Sequence, residues 1–267
     1  MAIKIRSKLK TREVILPLGI IINGERYTTC VVECLDGKTE EMVSERKVKN
    51  NGSKIITEVL ANKIKRVGDI DYPNGVGESI ARNMFVGDRD TCLFAIRSLM
   101  DENIEVEARC PSCGEKMYTD INVNTLLDEI AIWDDCDIAD LGIIPFELKD
   151  GLTIENTETG EIKDCKKGKL KLINGKAEEG VFQNRNNAGA ANTLLLSASI
   201  IELENIRKVD ASVVRAFTKN DRDYIASLIA DNHYGPKMIG NTECPNCGEE
   251  INYNFKLTDF FTVTKHS

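Results

Sequence analysis

The chain has 267 residues, a formal net charge of −8, 42% hydrophobic and 29% charged residues, enough for one large globular domain or two of ordinary size. An aromatic share of 6% argues against platforms for stacked bases or sugars, and the acidic balance repels phosphate backbones unless a local basic face overrides it. No window holds the about eighteen uninterrupted apolar residues of a membrane helix, so no membrane span is expected.

Lys4, Arg6, Lys8, Lys10 and Arg12 occupy alternate positions, with Ile3, Ile5 and Leu9 between them. That is strand period with one basic face, an arm suited either to adding to a neighbour's sheet edge or to folding back on its own domain. Nucleic-acid contact through it is not expected. The apolar run Val14–Ile22 follows this basic stretch in the manner of a signal peptide. Pro17 and Gly19 break it, however, and polar Asn23-Gly24-Glu25-Arg26 stands where a small-residue cleavage site belongs. Val14 to Val32 therefore reads as a hairpin turning at Asn23-Gly24. The nine cysteines are expected to stay reduced in a cytoplasm. Cys30, Cys34, Cys92, Cys136 and Cys165 lack metal spacing and read as small buried or surface thiols.

Ser53 to Val67 carries apolar residues at Ile56, Val59, Leu60, Ile64 and Val67, a spacing of three and four that predicts a helix with one buried face. Asn83-Met84-Phe85-Val86-Gly87-Asp88-Arg89-Asp90 opens another helix ending near Met100. Asp88 suits the N-cap, Asp90 the positive end of the helix dipole, and Arg89 an acidic group or a backbone carbonyl. A polar lead then reaches Cys110-Pro111-Ser112-Cys113-Gly114-Glu115, an alternating strand from Met117 to Val123, and the pair Leu126-Leu127.

The same series recurs after an aspartate-rich join at Asp134–Ile144, beside which the only tryptophan, Trp133, reads as core packing. Pro145 to Leu172 is strand-rich, with turn signals at Asp150-Gly151, Thr159-Gly160 and Asn174-Gly175. Asn192 to Ile206 reads as helix and Asp210 to Phe217 as a short one. A helix capped by Asp221 in Asp221-Arg222-Asp223 then ends near Ala230. Cys244-Pro245-Asn246-Cys247-Gly248-Glu249 follows, then a strand from Ile251 to Leu257 and the pair Phe260-Phe261. The expected fold class is α+β: two tandem pseudo-repeats, 1–137 with the basic arm and 138–267, each made of a β-hairpin region, helices, a Cys-x-x-Cys knuckle and a strand.

Two thiolates three positions apart grip one ion, proline stiffens the turn, and glycine lets the amides approach the sulfurs. One knuckle half-binds a tetrahedral ion; two make a closed zinc-ribbon-like site from Cys110, Cys113, Cys244 and Cys247. Three arrangements remain open: one shared structural zinc, knuckles completed by another chain of an oligomer, and an iron–sulfur cluster, which four cysteines also accommodate. The glycine after the second cysteine and the polar neighbours favour zinc. A catalytic zinc is not expected, because four thiolates leave no open position.

Nothing else in the chain suggests catalysis. The two histidines are His233, which reads as a helix-end dipole partner, and His266 in the tail. There is no glycine-rich phosphate loop, nucleophile elbow or metalloprotease histidine pair, and no carboxylate pair stands out, so an enzyme is not expected.

In the order strands, helices, Gly87-Asp88-Arg89-Asp90, Cys-Pro-x-Cys-Gly, alternating strand and Leu126-Leu127, the chain resembles the base plate hub subunit family of contractile-tailed bacteriophages, with relatives in contractile injection systems and tail-like bacteriocins. The likeness rests on Met84 to Leu127 and is echoed by Ala216 to Phe261, where Asn220 replaces the glycine. It implies a structural subunit of the baseplate hub in a phage virion or tail-like particle, assembled in the bacterial cytoplasm. The implied partners are other baseplate and tail proteins, with a homo-oligomer also compatible. A hub assembly chaperone absent from the mature particle is the nearest alternative, and a zinc-ribbon nucleic-acid adaptor the alternative of another class.

Overall fold

The structure, a computed structural model, describes residues 8–47, 51–155, 158–184 and 186–261. Most of the basic arm, including Lys4 and Arg6, and the tail with His266 lie outside the described residues. The protein is of mixed helix and sheet, as expected. It divides into two compact units, one formed by Met1–Ile132 with Tyr234–Ser267 and the other by Trp133–His233. These units are bounded at other places than the expected repeats 1–137 and 138–267: the end of the chain belongs to the unit that contains its beginning.

In the first unit, β1 (Thr11–Ile22) and β2 (Glu25–Glu33) form the expected hairpin, and Asn23 and Gly24 take the positive φ that its two-residue turn demands. Arg12 is not part of a free basic face. Its guanidinium donates to Ser98 Oγ at 2.8 Å and to Asn124 Oδ1 at 2.5 Å. Helices α1 (Gly37–Lys47) and α2 (Gly52–Lys63) follow, the latter capped by Asn51, whose side chain accepts the Lys54 amide.

The predicted helix over 53–67 ends four residues early. Ile64–Val67 is a strand, β3, paired antiparallel to β2 through Cys30 and Val67. Ile64 and Val67 are both fully buried. Their spacing satisfied a helical face and the two ends of a four-residue strand alike. What decides is Lys63, which is 2% exposed and ion-paired to Asp36 at 3.0 Å and Glu33 at 3.7 Å. That anchor ties the end of α2 to the end of β2 and its following loop, so the chain runs on along the sheet. The short β4 (Ile70–Asp71) completes the order β1-β2-β3-β4.

Helices α3 (Gly77–Asn83) and α4 (Val86–Met100) come next, then the hairpin of β5 (Asn103–Arg109) and β6 (Lys116–Asn122), then α5 (Val123–Asp128). Helix α4 is the hub of the unit's core. It buries Cys92, Leu93, Phe94, Ala95 and Ile96 completely.

The second unit opens with a 3-10 turn at Ile138–Asp140 and a three-stranded antiparallel sheet of β7 (Ile143–Glu155), β8 (Ile162–Lys171) and β9 (Ile200–Leu203). Between β8 and β9 lie α6 (Gly175–Phe182) and α7 (Ala188–Ser199), capped by the side chains of Asn174 and Asn187. The predicted helix over 192–206 also ends early, at Ser199, because Ile200 turns extended to join the sheet against Leu170. Asp150-Gly151 is not a turn but an irregularity inside β7, between Glu147 and Leu152. Helices α8 (Ala211–Ala216) and α9 (Lys219–Asp231) close the unit. Trp133, at its edge, is only partly buried.

The chain then returns to the first unit as a hairpin of β10 (Ile239–Glu243) and β11 (Glu250–Asn254), with a last 3-10 turn at Leu257–Phe260. Phe255 and Phe260 stack edge-on against Phe94, with ring centroids at 5.6 and 4.8 Å. Arg97 secures the backbone there by donating to the Asp259 carbonyl at 3.1 Å.

Candidate metal centre

The two knuckles occupy the turns of β5–β6 and β10–β11 and repeat one another bond for bond. Cys110 N donates to Glu115 O at 2.8 Å and Gly114 N to Cys110 O at 3.0 Å. Cys244 N donates to Glu249 O at 2.8 Å and Gly248 N to Cys244 O at 2.9 Å. Gly114 and Gly248 have φ of 76° and 75°, the left-handed conformation that each turn needs and that a side chain would strain. Sequence reasoning named the cysteines but passed over the closing residue of each turn, Glu115 and Glu249, which acts through its backbone.

The hairpins meet side by side. Thr119 of β6 and Thr242 of β10 hydrogen-bond through their hydroxyls at 3.2 Å. Ala108, Cys110, Met117, Cys244 and Ile251 form a small apolar cluster of their own beneath the turns. All four sulfurs come together in consequence, within 4.8 Å of one another. Two sulfur contacts cross between knuckles: Cys110 to Cys247 and Cys113 to Cys244, both 3.6 Å. Cys110 and Cys244 are buried, Cys113 and Cys247 exposed. Cys30, Cys34, Cys92, Cys136 and Cys165 take no part in the cluster. Cys30 and Cys92 instead lie 3.6 Å apart in the first unit's core.

The donor set fits a metal ion. Zinc–thiolate bonds of about 2.3 Å in a tetrahedron set sulfurs about 3.8 Å apart, close to the observed spacing and far beyond a disulfide bond of about 2.05 Å. The electrostatics point the same way. The Glu115 amide and then the Asn246 side chain, reaching over from the other knuckle, draw the Cys113 thiol down to about 6. The Glu249 amide pulls on Cys247 likewise, but its sulfur neighbours Cys110, Cys113 and Cys244 outweigh it and push that thiol up to about 12. These opposite directions describe one shared situation: the turns favour a thiolate, and the first thiolate opposes the next. A divalent cation at the centre would remove that opposition, so the arrangement is compatible with a bound metal. Asn246 at the Cys113 sulfur is a contributor that spacing alone did not reveal; its amide at the variable position of the knuckle was the available signal.

The Asp-Arg-Asp motif has a different role from the one its sequence suggests. Helix α4 begins at Val86, with Phe85 at the N-cap, so Asp88 lies inside the first turn. Its Oδ1 accepts the amides of Leu18 at 2.8 Å and Gly19 at 3.2 Å, where β1 kinks. In α9 the N-cap is Thr218, which accepts the Asp221 amide. Asp221 in turn accepts the amides of Lys149, Asp150 and Gly151 in the kink of β7. Neither aspartate caps its helix; each binds helix to sheet. Arg89 meets backbone carbonyls as expected, donating to Ala81 O at 2.8 Å and Ser53 O at 3.0 Å, and also to Thr57 Oγ1 at 3.1 Å. Arg222 donates to Thr193 Oγ1 at 2.9 Å and Val214 O at 3.5 Å. This motif serves the fold, which leaves the four cysteines as the candidate site.

Comparisons with protein families, with curated proteins and with solved structures find no match to this chain.

Proposed function

We propose that the protein is a zinc-stapled, non-catalytic structural subunit of the baseplate hub of a contractile phage tail or tail-like injection particle. Its bacterial-cytoplasmic assembly would join it to other baseplate and tail proteins. The observation that carries the reading is the closed set of Cys110, Cys113, Cys244 and Cys247, which offers an ion four thiolates within one chain and leaves no position for a substrate. Cys110 and Cys244 would hold the ion from the buried side, Cys113 and Cys247 from the surface. Bound zinc would supply charge neutralisation and a fixed angle between two hairpins, which is a scaffold's requirement.

The same reading takes the chain as a tandem pseudo-repeat. Both stretches run hairpin, two helices, strand, short helix, long helix and knuckle hairpin, the first with the two-residue β4 added after its strand. The paired roles of Asp88 and Asp221, Arg89 and Arg222, and Thr57 and Thr193 support that equivalence. A duplicated chain offers related but unequal faces, which suits an adaptor between parts of differing symmetry.

The test is quantitative mass spectrometry of purified particles from cells expressing the tagged chain. Recovery in mature particles at fixed stoichiometry with tail proteins is the expected result. Association with a hub protein during assembly but absence from finished particles would make it an assembly chaperone. Salt-dependent binding to DNA or RNA, with no tail protein recovered, would make it a zinc-ribbon adaptor.

A further inference from the structure

We propose that the four-cysteine site is convertible: a peroxide turns the zinc staple into two disulfides that cross between the knuckles, Cys110 with Cys247 and Cys113 with Cys244. The inference rests on the zinc reading above and concerns what becomes of that site outside a reducing compartment.

Three observations carry it. The two 3.6 Å sulfur contacts each join one knuckle to the other. Each of these pairs contains one exposed and one buried sulfur, so a small oxidant meets Cys113 or Cys247 first and its resolving partner lies behind it. Within the first knuckle, the Cys113 amide points at the Cys110 sulfur at 3.4 Å, and closing that turn on itself would displace the contact. The resolving thiolate of the opposite knuckle is already in contact and needs only a short approach.

The chemistry balances. The exposed thiolate attacks one oxygen of hydrogen peroxide. The O–O bond breaks, a sulfenic acid forms, and the departing hydroxide takes a proton to become water. The facing thiolate attacks the sulfenic sulfur, the S–O bond breaks, the S–S bond forms, and a second water leaves after protonation. Each pair thus gives two electrons to one peroxide. Two peroxides oxidise all four thiolates, and the zinc ion, stripped of its ligands, passes to water. The tie between the middle of the chain and its end persists through the exchange. A particle released from a cytoplasm would keep this joint where zinc thiolates alone would lose it. Cys30 and Cys92 lie equally close but are wholly enclosed, so they serve as the slow internal reference.

The experiment uses the purified full chain. Elemental analysis comes first, with one zinc per chain expected. Hydrogen peroxide is then added in steps, released zinc is followed with a chromogenic chelator, and the product is digested with trypsin without reduction. Cys110 and Cys113 share one tryptic peptide, 110–116, and Cys244 and Cys247 share another, 238–256. Cross-knuckle bonds give a single linked species, released in step with zinc; fragmentation then reads Cys110–Cys247 and Cys113–Cys244. Two separate peptides, each lighter by two hydrogens, would overturn the inference and leave the zinc reading intact. A purified chain that neither contains nor takes up zinc would overturn both. In Cys113→Ser the Cys110–Cys247 link is expected to form alone; loss of every link to 238–256 in that variant, or links only between separate chains, would also overturn the proposal.

Discussion

The carboxylate of Asp88 holds the amide of Leu18 at 2.8 Å, joining α4 to a strand seventy residues earlier. Burial pushes this carboxyl up to about 7, against the pull of the Leu18 and Gly19 amides and the Arg26 charge. Its second oxygen, Oδ2, is buried with no hydrogen-bond partner among the described residues. Asp221 accepts a third amide, from Lys149, where the first kink has Pro17, whose nitrogen carries no hydrogen.

A pH dependence of stability follows. Between the ordinary value of 3.8 and about 7, the native chain keeps a proton on Asp88 that the unfolded chain has released. Stability is then greatest at the acid end of that window, falls as pH rises through it, and levels off above it, by up to about 1.4 kcal/mol per pH unit. Urea unfolding of wild type and Asp88→Asn between pH 5 and 8 checks this. The variant's curve is expected to be flatter by a few kcal/mol over that range; parallel curves would show that Asp88 is ionised in the native state.

Arg89 and Arg222 occupy like positions but differ in burial. Arg89 is 0% exposed and joins α2, α3 and α4 through Ser53, Thr57 and Ala81. Its replacement by alanine leaves a buried void and unsatisfied acceptors, at about 3 kcal/mol or more. Arg222→Ala, in a half-buried setting, costs about 1 kcal/mol. Denaturant midpoints of the two variants measure the difference, and equal losses would contradict it.

Gly87 lies where α4 meets the returning chain. A Cβ there would stand 2.4 Å from the Tyr234 carbonyl oxygen, and one on Gly235 would stand 2.6 Å from Gly87 Cα. Gly87→Ala is expected to destabilise by about 1–3 kcal/mol, because the obstacle is backbone rather than a side chain that can turn aside. Asn220, exposed at the corresponding place in α9, tolerates alanine to within about 0.5 kcal/mol. Thermal melts of both variants test the contrast.

If the four cysteines hold zinc as proposed, its removal acts on the knuckle hairpins. With zinc chelated, or in Cys244→Ser combined with Cys247→Ser, amide exchange is expected to quicken in 103–122 and 239–254 and to change little in 143–231. A loss of about 3 kcal/mol lowers Tm by roughly 6–12 °C. Unchanged melting and exchange after complete metal removal would deny the ion a structural role.

Much of this architecture was legible because certain residues admit few alternatives. Asn23-Gly24 between apolar runs marked the first hairpin, and Cys-Pro-x-Cys-Gly marked both knuckles with their glycines. The ends of α2 and α7 were not legible, since Ile64 and Val67, or Ile200 and Leu203, satisfy a helix face and a short buried strand alike. The task of Asp88 was hidden for a different reason. Its partners are amides of a strand far away in sequence, and local capping was the only role that neighbouring residues could suggest. Gly87 drew notice as part of a motif, but its cause, the close passage of Tyr234 and Gly235, belongs to tertiary structure.

Phe94 is covered by Phe255 and Phe260, residues that leave the ribosome long after it does. During synthesis, the opening 132 residues emerge with that ring uncapped and with two of the four thiols, while the intervening unit has its whole sheet and all its helices in hand. The hydrophobic lid and the last two thiols of the candidate metal centre are therefore delivered together, after every residue of the intervening unit.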